Sequence, residues 1–264
     1  MRPGVKKAYT YLTMAGINPR TTVRAVRGIK PFLADYREFQ RQVEAAGPGV
    51  PPISLVPYLT DRHSSAGTAS GHYFHQDLLV ARRIFALAPR RHIDVASRFD
   101  GFVAHVAAFR PIEVLDVRAA DVEIPNVSFT VADLTASLPT DLRECTDSLS
   151  SLHAIEHFGL GRYGDPVDLD GHLAAIDNFH QMLEPGGTLH LSTPIGPNRL
   201  EFNAQRVFSV GYLLDALSDR FTVERFSYVG DDGRLREAVE LTPEAVRTSF
   251  GCDFGCGIFE LTKR

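Results

Sequence analysis

Residues 147–165, DSLSSLHAIEHFGLGRYGD, decide how the chain is read. Asp147 opens a short apolar run over 149–155, broken only by small residues and His153. A run of that length between polar residues fits a buried strand of a parallel sheet. Glu156 and His157 follow at once, then a loop with Gly159, Gly161, Arg162, Tyr163, Gly164 and Asp165. Ligands of open α/β sheets bind beyond the carboxyl ends of the strands. Loops held by a rigid scaffold are where chemistry is placed. The stretch is therefore expected to form the floor of an active site.

Outward from it, short apolar runs alternate with helical patterns. HIDVAS, IEVLDV and VSFTVADL are expected as strands before it. After it come a helix over 171–183, a PGG turn, a strand in TLHLSTPIG, a helix over 208–217, and strands in FTVERFSYV and FGCGIFEL. Such alternation implies right-handed βαβ crossovers and a mostly parallel sheet. The last two strands, separated by residues 231–250, are expected as an antiparallel pair at one side. Nearer the N-terminus, HYFHQDLLVARRIFAL reads as a helix. Residues 1–46 read as helical, capped at Thr21 or Thr22 and interrupted near Pro31, with an amphipathic segment from Phe32. Gly47, Pro48, Gly49, Pro51 and Pro52 read as a linker. Three regions follow: a helical extension over 1–50, a connecting segment and helix over 51–90, and an α/β domain over 91–264.

The chain has 264 residues, 44% of them hydrophobic, which is ordinary globular composition. A formal net charge of −4 gives no general affinity for nucleic acid. Residues 1–30 are nevertheless basic, with Arg2, Lys6, Lys7, Arg20, Arg24, Arg27 and Lys30 and no acidic residue. Such an arm suits an anionic substrate or peripheral contact with a membrane surface. Cys145, Cys252 and Cys256 make no disulfide framework, which suits a cytoplasmic location. Cys252 and Cys256 lack partners at zinc spacing, so no metal site is expected. No apolar run is long enough to span a bilayer, and the N-terminus does not read as a secretory signal.

The chemistry begins at Asp94. It precedes a turn, Ala96, Ser97, Arg98, Phe99, Asp100, Gly101, that leads into a helix. Nucleotide-binding turns at this place are Gly-rich, so that backbone can approach the ligand. Only Gly101 is glycine here. Asp116 ends the second strand, about twenty residues on, where a carboxylate accepts hydrogen bonds from a ribose diol. Asp133 follows the third strand beside Leu134 and suits the exocyclic amine of an adenine.

With these pieces in order, the chain resembles the class I S-adenosylmethionine-dependent methyltransferases. DVASRFDG, VLDV, VADL, SLHAIEH and MLEPGGTLHLSTP carry the resemblance, which covers roughly residues 91–229. GHYFHQDL, DGFVAHVA, LHAIEHFGLGRYGDP and PIGPNRLEFNAQR further resemble a bacterial methyltransferase-like family, domain of unknown function 268, associated with surface-polysaccharide genes. The chain departs from the methyltransferase pattern at Ala96 and Arg98, where glycines are usual, and by one extra residue before Gly101.

The resemblance implies a Rossmann-like sheet, S-adenosylmethionine as cofactor, and a saccharide or lipid-linked glycan as acceptor. Asp94, Ala96, Ser97, Gly101, Asp116, Asp133, Leu134 and His153 are the expected cofactor contacts. Transfer to a hydroxyl needs alignment and a base. His157 is the first candidate, ahead of His153 and Asp165, with Glu156 either facing the cofactor's amino-acid moiety or orienting His157. Arg162 and Tyr163 suit a carboxylate, phosphate or sugar ring. His72 and His75 at a helix start, and Asn198, Arg199, Asn203 and Arg206 beyond the fifth strand, are expected on the acceptor side. Two rival readings stand beside this one. One is a catalytically inactive core that binds a glycan or partner protein. The other is a divalent-metal enzyme centred on Asp165, Asp168, Asp170 and His172.

Overall fold

The computed structural model describes residues 9, 11–13, 16–51, 53–62, 64, 67–120 and 123–264. Arg2, Lys6 and Lys7 of the basic arm lie outside them. The chain divides into two compact units, residues 1–68 and 69–264.

Among its described residues the first unit has a long helix, α1 (Pro19–Ala46), and residues 9 and 11–13 are helical as well. Its N-cap is Asn18, not Thr21 or Thr22: the Asn18 side chain accepts from the backbone N–H of Arg20 and Thr21, and Pro19 occupies the first turn. Pro31 does not interrupt it. A proline removes one backbone donor, and here the helix runs on for fifteen further residues with the remaining bonds in place. Gly47 stops it in the left-handed region at φ +74°.

The second unit begins with α2 (His72–Leu87), β1 (His92–Val95), a π-helical turn over Phe99–Val103 and α3 (Ala104–Ala107). Next come β2 (Ile112–Asp116), β3 (Val127–Val131), β4 (Thr146–Leu152) and α4 (Gly171–Met182). The rest is β5 (Leu183–Ile195), a hairpin of β6 (Arg199–Glu201) and β7 (Gln205–Val207), α5 (Val210–Ser218), β8 (Phe221–Val229), β9 (Leu235–Arg236), α6 (Pro243–Arg247) and β10 (Gly255–Lys263).

Eight strands form one sheet in the order β3-β2-β1-β4-β5-β10-β8-β9. The first five are parallel, and β10 runs antiparallel between β5 and β8. This is the expected Rossmann-like sheet with its antiparallel last strand. The PGG segment is not a turn before β5. It is a bulge within it, because pairing with β4 jumps from Thr146↔Leu183 to Ser148↔Thr188, and Gly186 takes φ +75°.

Both faces of the sheet are covered, which is why its strands read as nearly continuous apolar runs. Leu79, Val80 and Ile84 of α2 pack with Phe102, Val106, Val114 and Ile258 on one face. Ile176, Phe179 and Met182 of α4 pack with Leu213 and Leu217 of α5, Ile93, Leu149 and Phe259 on the other. Phe179 is wholly buried, and truncating such a side chain to alanine costs about 3–5 kcal/mol. Strand order reverses between β1 and β4, and the carboxyl ends of the strands open there into a crevice.

Candidate active site

A cavity of about 330 Å³ lies at that crevice, within the usual range for small-molecule sites. Each strand from β1 to β4 contributes at or just past its end: Ala96 and Arg98, Asp116 to Arg118, Ala132 to Thr135, and His153, Ala154, His157 and Phe158. Tyr73 of α2 and Arg162, Tyr163 and Asp165 of the following loop complete the lining.

Ala96 takes φ +60°, the left-handed conformation a glycine would supply. The alanine methyl is the only side-chain atom added to the turn at this point. Asp94 lies behind the cavity, wholly buried. Its Oδ2 accepts from the Ser97 N–H at 3.0 Å, and its Oδ1 accepts from Ser97 Oγ at 2.7 Å and Ser150 Oγ at 2.5 Å. Burial raises its carboxyl to about 6, against the pull of those bonds. Ser97 and Gly101 also stand outside the cavity lining. A Cβ on Gly101 would meet Asp77 Oδ2 at 2.2 Å, so this glycine admits a side chain of α2.

Asp116 reaches the cavity, but its carboxylate is occupied. Arg118 Nε donates to Oδ1 at 2.9 Å and Nη2 to Oδ2 at 2.6 Å. The guanidinium lies 4.4 Å from the Tyr163 ring centroid. Asp133 is only half used: Oδ1 accepts from the Thr135 N–H and Oγ1, at 2.8 and 2.7 Å. Its Oδ2 has no hydrogen-bond partner among the described residues. Leu134 is buried apolar wall. Arg98 pairs with Asp100 on the surface and lies 5.0 Å from the Tyr73 ring.

His153, Glu156 and His157 meet as a cluster. Glu156 is buried, and its Oε1 accepts from His153 Nδ1 at 2.7 Å. Its Oε2 accepts from Thr193 Oγ1 at 3.2 Å. His157 Nδ1 donates to the Ala204 carbonyl at 2.8 Å. That bond fixes the tautomer and leaves Nε2 without a proton, 3.9 Å from Glu156 Oε1. Burial, only partly opposed by Glu156, holds the His157 imidazole below the ordinary histidine range, hence neutral near pH 7. Asp165 is committed to the loop: it accepts from the N–H groups of Gly159, Gly161 and Tyr163 at 2.8, 3.3 and 3.1 Å. Gly159 is needed here, at φ +76° and with the Asp168 carbonyl where a Cβ would be.

The residues expected on the acceptor side separate. Arg162 and Tyr163 stand in the cavity lining. His72 stacks on His153 at 5.1 Å, and burial together with that neighbour lowers it to about 4. His75 packs edge-on against Phe74. Asn198 accepts from the Ser209 N–H, and Arg199 pairs with Glu201. Asn203 lies in the β6–β7 turn. Arg206 is buried and donates to the carbonyls of Phe158 and Leu169 at 2.6 and 2.9 Å. None of these last four lines the cavity; Arg206 braces the loop that does.

Asp165, Asp168, Asp170 and His172 do not converge as a metal centre. Asp168 Oδ1 accepts from the Asp170 N–H, Asp170 stands at the N-cap of α4, and His172 Nε2 pairs with Tyr212 Oη at 2.6 Å. Sequence reasoning missed Arg118 and Tyr73 as cavity residues. The signal for Arg118 was present, a cation two residues past Asp116.

A family model described as Caenorhabditis protein of unknown function, DUF268, matches residues 112–222. The domain of unknown function is the expected one; its description is not bacterial. No curated protein matches. Among solved structures, the [4+2]-cyclase SpnF is 17% identical with a TM-score of 0.51, over 72% of this chain and 80% of that one. A TehB-like SAM-dependent methyltransferase from Corynebacterium glutamicum is 16% identical with a TM-score of 0.48, over 88% and 97%. N-methyltransferase NodS from Bradyrhizobium japonicum, in complex with S-adenosyl-l-homocysteine, is 12% identical with a TM-score of 0.45, over 73% and 88%. At such identities the likeness is one of fold.

Proposed function

We propose that the chain is an S-adenosylmethionine-dependent methyltransferase acting on a hydroxyl of a saccharide or lipid-linked glycan, in surface-polysaccharide assembly. One observation carries this reading: a half-used carboxylate, a left-handed turn and a neutral histidine face the same crevice. Asp133 Oδ2 is open to an exocyclic amine, and Leu134 offers an apolar wall to a purine. Asp116 sits where ribose hydroxyls would be met, once Arg118 swings away. Ala96 keeps the turn after β1 shallow enough for an amino-acid moiety. The bound cofactor would supply a methyl group on a sulfonium, already a good leaving group. The chain's own work is then to hold the acceptor in line and take its proton. His157 Nε2 takes that proton, and Glu156 nearby stabilises the charge the ring acquires. Arg162 and Tyr163 at the cavity suit a sugar ring or its phosphate.

The basic residues Arg2, Lys6 and Lys7 suit a protein working beside the inner face of a membrane, as does a cytoplasmic location. No helix among the described residues is long and apolar enough to cross one.

A second reading, a catalytically inactive core that binds a glycan or partner protein, is favoured by the Asp116–Arg118 pair. Incubation with S-adenosylmethionine and a panel of oligosaccharides separates the two. Gain of one methyl group on a glycan hydroxyl, lost in His157→Gln, supports the enzyme. Retention of glycan without methyl gain supports the binding protein.

A further inference from the structure

Three side chains far apart in the chain meet behind His153, which itself lines the cavity. His72 opens α2, His153 follows β4, and Cys256 lies in β10. One nitrogen of each ring and Cys256 Sγ all lie within 4.8 Å of one another. The His153 side chain is 5% exposed, and its buried Nε2 has no nitrogen or oxygen partner among the described residues, with only the Cys256 sulfur as a weak neighbour of the ring. Leaving such a group without a strong partner is costly. The cost needs a reason.

We propose that His72, His153 and Cys256 bind a divalent ion of the zinc class. The donor set of one thiolate and two imidazoles is that of zinc sites, and it disfavours magnesium and calcium, which take oxygen ligands. Tetrahedral zinc bonds place such ligand atoms about 3.4–3.6 Å apart. Closing from within 4.8 Å asks for about 1 Å of side-chain movement. Both rings also carry a hydrogen bond of the kind that supports metal-bound imidazoles. His153 Nδ1 donates to Glu156 Oε1, and the His72 ring donates to the Phe254 backbone. The charges balance as well: the Cys256 thiolate and Glu156 together offset a divalent cation. Without metal, the Cys256 thiol donates to Gln76 Oε1 at 3.5 Å. On binding, Sγ forms the bond to the ion and the thiol proton leaves to solvent.

Three protein ligands leave a fourth position for water or another ligand. Of the three ligands, His153 also lines the cavity. This site departs from the sequence expectation of no metal. It does not rest on the methyl-transfer reading, since neither cofactor nor acceptor enters its test.

The test is cobalt(II) titration of the full chain, with zinc as competitor. One equivalent is expected to give tetrahedral visible bands and a thiolate-to-cobalt charge-transfer band, both removed by zinc. Cys256→Ser abolishes the charge-transfer band, and His72→Gln weakens binding at least tenfold. Cys145→Ser changes neither. Zinc also raises the melting temperature of the unsubstituted chain by a few degrees, a readout that does not depend on any variant folding. Absence of the charge-transfer band in the unsubstituted chain overturns the site, as does its persistence in Cys256→Ser.

Discussion

Arg118 closes both oxygens of Asp116, Nε on Oδ1 at 2.9 Å and Nη2 on Oδ2 at 2.6 Å, from only two residues along the chain. The Asp116 side chain is 5% exposed while that of Arg118 is 51% exposed, so the pair has a buried anion and a solvent-facing cation. A ligand that needs the carboxylate has to displace the guanidinium first.

Arg118→Met, which keeps the apolar stem, is therefore expected to tighten binding of S-adenosylhomocysteine by roughly tenfold, equivalent to about 1.4 kcal/mol. Asp116→Asn in the same background is expected to reverse the gain. Calorimetry on the two variants checks the order. Weaker binding in Arg118→Met would mean that the guanidinium itself holds the ligand.

In the proposed reaction His157 serves as the base, because the Ala204 carbonyl accepts the hydrogen bond from Nδ1–H and leaves Nε2 as the basic nitrogen. His157→Gln can keep a donor to that carbonyl but has no basic nitrogen. Turnover is expected to fall by about 10²–10⁴-fold with KM little changed. Single-turnover kinetics against a methylated glycan product reads this directly. An unchanged rate would assign the proton to another group.

His190, within β5, is wholly enclosed, and burial followed by the Arg83 charge lowers it to about 4. Its folded value lies below its unfolded value near 6.5. Protonation therefore favours the unfolded chain, and stability falls as pH drops from about 6.5 towards 4. At pH 5 this one residue costs about 2 kcal/mol relative to pH 7.5. His190→Phe is expected to lose that part of the acid sensitivity in urea unfolding at the two pH values. An equal acid loss in both proteins would contradict the assignment.

Much of the sheet was legible because its strands are short apolar runs bounded by polar residues, as in HIDVAS and VSFTVADL. Helix α2 matched its sixteen-residue pattern because Leu79, Val80 and Ile84 recur at helical spacing. Pro31 misled because a missing donor weakens a helix without forcing it to end. The PGG segment misled because a bulge and a turn call for the same residues, and only pairing with Thr146 and Ser148 tells them apart. Asp116, Asp133 and His157 were visible as cavity residues because each sits at or soon after the end of a strand. The approach of Cys256 to His153 was not, because it depends on β10 inserting beside β5, with Cys256 opposite Pro194. Arg206 carried the sugar-binding chemistry in its side chain, but its burial turned that fork onto backbone carbonyls instead.

The central claim is that the crevice at β1 and β4 takes an adenosyl cofactor. Isothermal calorimetry of the full chain with S-adenosylhomocysteine tests it most directly. One saturable site is expected, weakened at least tenfold by Asp133→Ala, which removes the open carboxylate oxygen. No measurable heat at millimolar ligand, or binding indifferent to Asp133→Ala, would contradict it.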